Sequence, residues 1–567
     1  MTLSCVLRSA IRSVLPTAIA ALATLVYGAV LAPRPLVAQG ADMELVRRGV
    51  ERATLPSGRW PNISDVVPDL RRVYDSVAWQ PIWTVDGQPT ASARAVVTYL
   101  ATLELVGLHT SDFDVSYIDS LVRAVDRGTA DPQLVGRLDI TLSVSVARVL
   151  SALQWGRIKP RDAHEAFRIP RTDFDLAVGV LGAARAADPA LVFDGAEPGY
   201  VHYRMLKRQM ARIRVLTDDT TLLPISLPKR LAPGEAYAGA SALRRLLIAL
   251  GDLSPDSTRV PAADTMYSGD LVEGVKRFQR RQGAAQDGIV GPGTRERLNR
   301  PFDQHVQQVE LALERWRWLP RQFGGRVIIV NIPEFRLHAF DRLTSDSTAL
   351  FSMDVVVGEA YDHSTPVFMK DLEYLSFSPY WEVPKSIARK EIRPNAMRDP
   401  SYLRRNRYVL VKGDAESSPM VASNAANIAA IGATTRVRQL PGDQNSLGRV
   451  KFMLPNPHNI YLHDTPTQSA FDRARRDLSH GCIRLVDPKG LALWVLRNQP
   501  EWTSEKVDSA MSRESPLNVR TSEKIPVLIV YSTAVAQLDG ELRLYRDIYG
   551  HDKRLIALLA RGFPYSR

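Results

Sequence analysis

A lone thiol and a distant imidazole set the first constraint on how this chain can fold. Cys482 stands in Ser479-His480-Gly481-Cys482, and the other cysteine, Cys5, lies in an N-terminal apolar stretch. One cysteine cannot form an internal disulfide, so packing alone must hold the domain around it. His463, in Tyr461-Leu462-His463-Asp464-Thr465, lies nineteen positions upstream. Only a fold that brings two segments together can close that gap. A thiol, an imidazole and a glycine beside the nucleophile are the parts of a cysteine acyl-transfer site. The plain alternative is a buried, inert cysteine.

At 567 residues the chain exceeds what one core supports, and the length implies about three or four domains. Hydrophobic content of 45% with 24% charged residues excludes a disordered or fibrous chain. Residues 1–38 carry Arg8, Arg12 and Arg34 and no acid, around an apolar run from Ser13 to Ala32. This segment reads as an export signal cut after Ala38, or as a retained N-terminal anchor. Removing it lowers the net charge from +12 to +9. That excess suits a polyanionic partner or surface. No basic run with interleaved aromatics occurs, so nucleic acid is not expected as a partner.

Residues 42–222 read as a helical scaffold, with helical spacing over Ala93–Val106 and Arg137–Trp155. His109, His164 and His202 are isolated there and read as surface or packed histidines. A proline-containing linker, Pro224–Ala240, precedes a small three-helix unit at 241–300. Phe278-Gln279 followed by Asp287-Gly288-Ile289-Val290-Gly291-Pro292-Gly293-Thr294 resembles a peptidoglycan-binding domain; a helical spacer without a ligand is the alternative. A connecting helix at 301–320 leads into 324–550. There Arg326–Ile332, Phe335–Phe340, Leu350–Val357, Leu372–Ser378 and Ile525–Tyr531 read as strands. The fold class is therefore multidomain α+β, its last domain a mainly antiparallel sandwich or curved sheet. An insertion at about 385–440 interrupts the strand rhythm and reads as a lid.

His463-Asp464-Thr465 followed by Ser479-His480-Gly481-Cys482-Ile483-Arg484 resembles the signature of the L,D-transpeptidases. The resemblance extends to Glu314-Arg315-Trp316-Arg317-Trp318-Leu319-Pro320, Asn331-Ile332-Pro333, Thr365-Pro366-Val367-Phe368, Pro379–Pro384 and Asn445–Gly448. It implies the long Gram-negative subtype, exported to the periplasm. Its implied partners are peptidoglycan stem peptides and glycan strands, with other wall synthases beside them. The membrane is a partner only if the N-terminal segment is retained. The implied donor is a tetrapeptide stem cut between diaminopimelate and D-alanine; a second diaminopimelate amine accepts the acyl group, giving a 3→3 cross-link. Acylation by carbapenems is implied as well.

The residues support that chemistry on their own. A free thiol is mostly protonated at neutral pH, so Cys482 as nucleophile needs a base. His463 can take its proton and later protonate the leaving amine. Gly481 leaves room for backbone N–H groups to face an oxyanion. His480 reads as pocket and loop support, with the base role as its alternative. Arg484 suits either a substrate carboxylate or a structural salt bridge. Tyr461 and Trp381 read as groove walls or core aromatics, and Ser479 as a substrate contact. Asp464 is left out of the triad, because an adjacent residue seldom reaches its neighbour's ring. No cofactor or metal is expected. A zinc hydrolase using His463, His480, Cys482 and an acidic residue, and a non-catalytic wall-binding protein, are the competing readings.

Overall fold

The computed structural model describes residues 36–127, 131–256, 265–344, 349–360, 363–415 and 417–565, with side chains from residue 43 onward. The export-signal segment thus falls outside it, save for the start of a helix at Leu36–Glu51. No described helix is long and apolar enough to cross a membrane.

Helix α1 (Pro132–Trp155) is the axis of the scaffold. Asp131 caps its first turn, Pro132 fits the first helical position, and Gly156 ends it at φ +77. Its buried charged residues, Asp139 and Arg148, are matched. Buried Asp139 accepts from the amides of Ile82 and Trp83, each at 3.0 Å, and from the Tyr74 hydroxyl at 2.8 Å. Arg148 clasps Asp65 at 2.9 and 3.1 Å. Phe563, near the far end of the chain, enters this core; its ring meets Phe113 at 5.5 Å and lies under the Arg148 guanidinium at 4.5 Å.

Helix α2 (Val201–Thr217), inside the expected scaffold range, shares its core instead with the small helical unit and the connecting helix. That unit comprises α3 (Ala240–Leu250), α4 (Asp270–Arg281) and α5 (Pro292–Leu298). Its Phe-Gln pair has a physical role: Phe278 fills the core, and Gln279 pins the turn that follows. Gln279 donates to Asp287 Oδ1 at 2.8 Å and accepts from Gly288 N at 2.9 Å.

Helix α6 (Phe302–Arg317) joins the parts. Its Glu314, fully buried, accepts from the amides of Arg157 at 2.5 Å and Ile158 at 2.9 Å, just beyond α1. The guanidinium groups of Arg157 and Arg317 stand 3.7 and 3.6 Å from its other oxygen. Gly156 is required here twice over, by its positive φ and because a Cβ would sit 2.7 Å from Glu314 Oε1.

The catalytic-domain strands are β1 (Val327–Asn331), β2 (Arg336–Phe340), β3 (Phe351–Gly358), β4 (Phe368–Phe377), β5 (Val450–Met453), β6 (Leu462–His463), β7 (Asp477–Ser479), β8 (Ile483–Leu485) and β9 (Leu517–Val530). Their order is β7-β3-β8-β6-β5-β4-β9-β1-β2, and a further β2–β3 pairing closes the curved sheet on itself. Most pairs are antiparallel; β6–β8, β9–β1 and β7–β3 are parallel. Helix α7 (His551–Leu559) follows the sheet.

The insertion has a sheet of its own, which the sequence reading lacked. Trp381–Glu382, Arg436–Gln439, Tyr408–Val411 and Met420–Val421 pair in that order around a core including Ile392, Leu403 and Ile431.

Candidate active site

The parallel β6–β8 pair builds the site. Leu462 registers with Ile483 and His463 with Arg484, and Tyr461 O accepts from Ile483 N at 3.1 Å. Alternation along each strand puts Tyr461, His463, Cys482 and Arg484 on one face. Lys451, paired with His463 from β5, joins them. The Tyr461 ring meets His463 edge-on at 5.7 Å, and Lys451 Nζ lies 5.5 Å over it.

His463 is buried, and its Nδ1 lies 2.5 Å from the carbonyl oxygen of Asp464. A carbonyl only accepts, so Nδ1 carries the hydrogen and Nε2 keeps its lone pair. The third member of the triad is thus a backbone carbonyl. The Asp464 carboxylate is engaged elsewhere, accepting from the amides of Arg449 and Thr465, both at 2.7 Å. Burial, and then the Arg484 charge, push the His463 pKa down to about 3.

The Cys482 thiol donates to the carbonyl of Asn459 at 3.7 Å. Asn456 builds that loop, its Oδ1 accepting from the amides of His458 and Ile460 at 3.0 and 3.2 Å. Burial raises the thiol pKa above its usual 9.0, while hydrogen bonds from Tyr461 and the charges of Arg484 and Lys451 oppose the rise. A raised thiol beside a lowered imidazole leaves the resting proton on sulfur, so the thiolate–imidazolium pair must form on demand. Iodoacetamide should accordingly alkylate Cys482 about tenfold faster per pH unit through neutrality, still rising at pH 9. A rate that levels off below pH 7 would show a preformed ion pair instead.

Ser479 and Gly481 hold the loop of the nucleophile. Ser479 is buried; its hydroxyl donates to Cys482 O at 2.5 Å and accepts from Gly481 N at 3.1 Å. These hydrogen bonds brace the loop, the Gly481 amide being engaged by the Ser479 hydroxyl. What Gly481 supplies is φ +112 and close approach: a Cβ on Gly358 would lie 2.9 Å from the Gly481 Cα. Thr365 locks this crossing. Its hydroxyl donates to Gly481 O at 2.7 Å and accepts from Gly358 N at 2.8 Å. Tyr549, before α7, accepts from Thr365 N at 3.3 Å and donates to Gly358 O. Sequence reasoning saw Thr365 only inside a resembling segment and missed Tyr549 and Asn459, which no local spacing ties to Cys482.

His480 faces outward, edge-on to His363 at 4.7 Å and 3.5 Å from Glu391 of the insertion. It is thereby turned away from His463 and Cys482 as a shared ligand set. Trp381 packs against the insertion's own core, 6.4 Å from the Tyr408 ring. Arg484 is partly buried, its Nε lacks a hydrogen-bond partner, and no carboxylate pairs with it among the described residues. Among those residues, the His and carboxylate atoms close enough to share an ion belong to Glu104, His109 and Glu310. Arg214 already stands 2.9 Å from Glu104 there, making an ion-pair cluster.

Residues 325–514 match the family described as "L,D-transpeptidase catalytic domain", residues 68–210 "Scaffold domain" and residues 238–298 "Putative peptidoglycan binding domain". A Haemophilus influenzae protein described as "Putative L,D-transpeptidase" is 28% identical over 257 residues, 44% of this chain and 49% of its own length. The chain thus spans about half the length of that relative. A solved structure from Clostridium acetobutylicum ATCC 824, described as a "Fused Zn-dependent amidase/peptidase/peptodoglycan-binding domain-containing protein", covers 54% of this chain and 100% of its own. At 12% identity and a TM-score of 0.15, that likeness carries no argument.

Fold and site together define a protein built on an L,D-transpeptidase catalytic domain. Alongside that domain the chain carries regions that match a scaffold domain and a putative peptidoglycan binding domain.

Proposed function

We propose that this chain is a cysteine acyltransferase that makes 3→3 cross-links in peptidoglycan. The observation that carries the reading is the shared face of Tyr461, His463, Cys482 and Arg484, with His463 Nε2 left as a base. Nε2 takes the thiol proton as Cys482 Sγ attacks the carbonyl between diaminopimelate and D-alanine. The Tyr461 hydroxyl, beside His463 on this face, is held neutral by burial, so it can donate to the oxyanion. As the C–N bond breaks, the imidazolium returns its proton to the departing D-alanine amine, leaving a thioester. The side-chain amine of a second diaminopimelate then attacks, its proton passes to His463, and the thiolate leaves and is reprotonated. Arg484, without a carboxylate of its own, suits a stem-peptide carboxylate.

Water as acceptor would make the same thioester an L,D-carboxypeptidase intermediate; a free D-amino acid would give exchange. We place the reaction in the periplasm, reached through the N-terminal segment, with other wall synthases as partners. Mass spectrometry of disaccharide-tetrapeptide incubated with the protein tests the reading. A dimer lacking one D-alanine is expected. Tripeptide alone would make the protein a carboxypeptidase, and unchanged substrate would overturn the tetrapeptide donor.

A further inference from the structure

Two segments singled out in the sequence play no part in the chemistry above: the end of α1 with Gly156 and Pro160 beyond it, and Arg317-Trp318-Leu319. They meet in a cleft of about 400 Å³ walled by residues 155–161, 167–172 and 317–319. Tyr461, His463, Cys482 and Arg484 lie outside this wall. Its aromatic side chains are Trp155, Phe167 and Trp318. The volume lies in the range of small-molecule and short-peptide sites.

The charge of this wall is one-sided. Among the described residues no aspartate or glutamate lines it, while six of its side chains are cationic. Arg157 and Arg317 are buried beside Glu314 and are spoken for. The other four reach solvent: Arg161, Arg168 and Arg171 are exposed and Lys159 is half-buried. Arg171 lies over the Trp155 ring at 4.4 Å, and Arg161 stands 3.8 Å from Asp162. Among the described residues no carboxylate is within ion-pair distance of Lys159 or Arg168. Partial burial, and then the Arg161 charge, lower the Lys159 pKa, so like charges are gathered here without matching acids.

The cleft is also held ready. On one side Glu314 fixes the amides of Arg157 and Ile158. On the other, Thr172 is tied to α1: its hydroxyl accepts from Gln154 Nε2 and its carbonyl from Trp155 Nε1, both at 3.0 Å. Leading to Thr172, residues 167–171 run without helix or strand, and Ile169 makes no main-chain hydrogen bond among the described residues. A peptide laid along that loop can pair with its main chain as well as its cations, whereas a compact anion uses the cations alone.

We propose that this cleft is a binding site, separate from Cys482, for a short acidic peptide whose carboxylates meet Lys159 and Arg168 and whose main chain runs beside Ile169. On the function proposed above, on which this last step rests, the peptide is the stem of a further peptidoglycan strand, which carries carboxylates on D-glutamate and diaminopimelate.

Calorimetric titration of the full chain tests it, with three probes: Ala-γ-Glu-diaminopimelate, the same tripeptide with its carboxylates amidated, and inorganic phosphate. Saturable binding of the acidic tripeptide is expected, about tenfold or more tighter than either of the others. Arg168→Glu and Lys159→Glu should each weaken it about tenfold. Lys229→Glu, the same change of charge at an exposed linker position, should alter it less than about twofold. Arg168 is exposed, so its variant keeps the test open if Lys159→Glu, at the cap of a short helix, misfolds. Absence of saturable binding, equal affinity for the amidated tripeptide, phosphate binding as tightly, or binding that neither cleft variant weakens would overturn the proposal. The titration needs no turnover, so its failure and a failure of the cross-linking assay are separate results.

Discussion

Cys482→Ala lowers transpeptidation by at least about a thousandfold while the folded protein persists, because a nucleophile has no substitute within its own site. The side chain is small and only partly buried, so its loss removes little packing. A carbapenem used as a trapping reagent should add its mass to the parent protein and not to the variant. The two histidines separate in the same assay. His463→Ala removes the imidazole that shares a face with Cys482 and should slow acylation about a hundredfold or more. His480→Ala removes a ring directed at Glu391 and His363, so acylation should stay within about tenfold of the parent. Near-normal acylation in His463→Ala would hand the base role to another group.

Glu314→Ala should destabilise the protein by about 3–5 kcal/mol, the cost of breaking a buried pair on one side. The substitution removes the carboxylate beside the Arg317 guanidinium, leaves Arg157 with Asp112 alone, and leaves two amides without their acceptor. Glu314→Gln keeps an oxygen for the amides and loses the charge, so its loss should fall between the two. Denaturant midpoints measure both. A change under about 1 kcal/mol for the alanine variant would mean that Arg157 and Arg317 find other partners, Asp112 standing 3.5 Å from Arg157 as the nearest choice.

What the sequence disclosed follows from where the information sits. Cys482 and His463 stand in short motifs whose chemistry depends on side-chain identity, so they were legible. Phe278-Gln279 was legible as a pattern, though only the structure shows the glutamine pinning the Asp287-Gly288 turn. The partner of the His463 ring was not legible, because it is a main-chain carbonyl that any residue at 464 would supply. Thr365 and Tyr549 reach the Cys482 loop from distant segments, and nothing in their neighbours announces it. The sheet of the insertion escaped notice for a different reason: its strands are two to four residues long, too short for alternation to register.

Phe563 in the scaffold core has a consequence for the order in which the molecule can assemble. During synthesis residues 43–196 emerge well before Phe563, which fills the slot in their core beside Phe113 and Arg148. Gly562 threads the chain into that slot at φ +72, where any side chain would strike Trp60. The scaffold core is therefore completed only after the catalytic domain that lies between has been made, and it must wait with its apolar interior open.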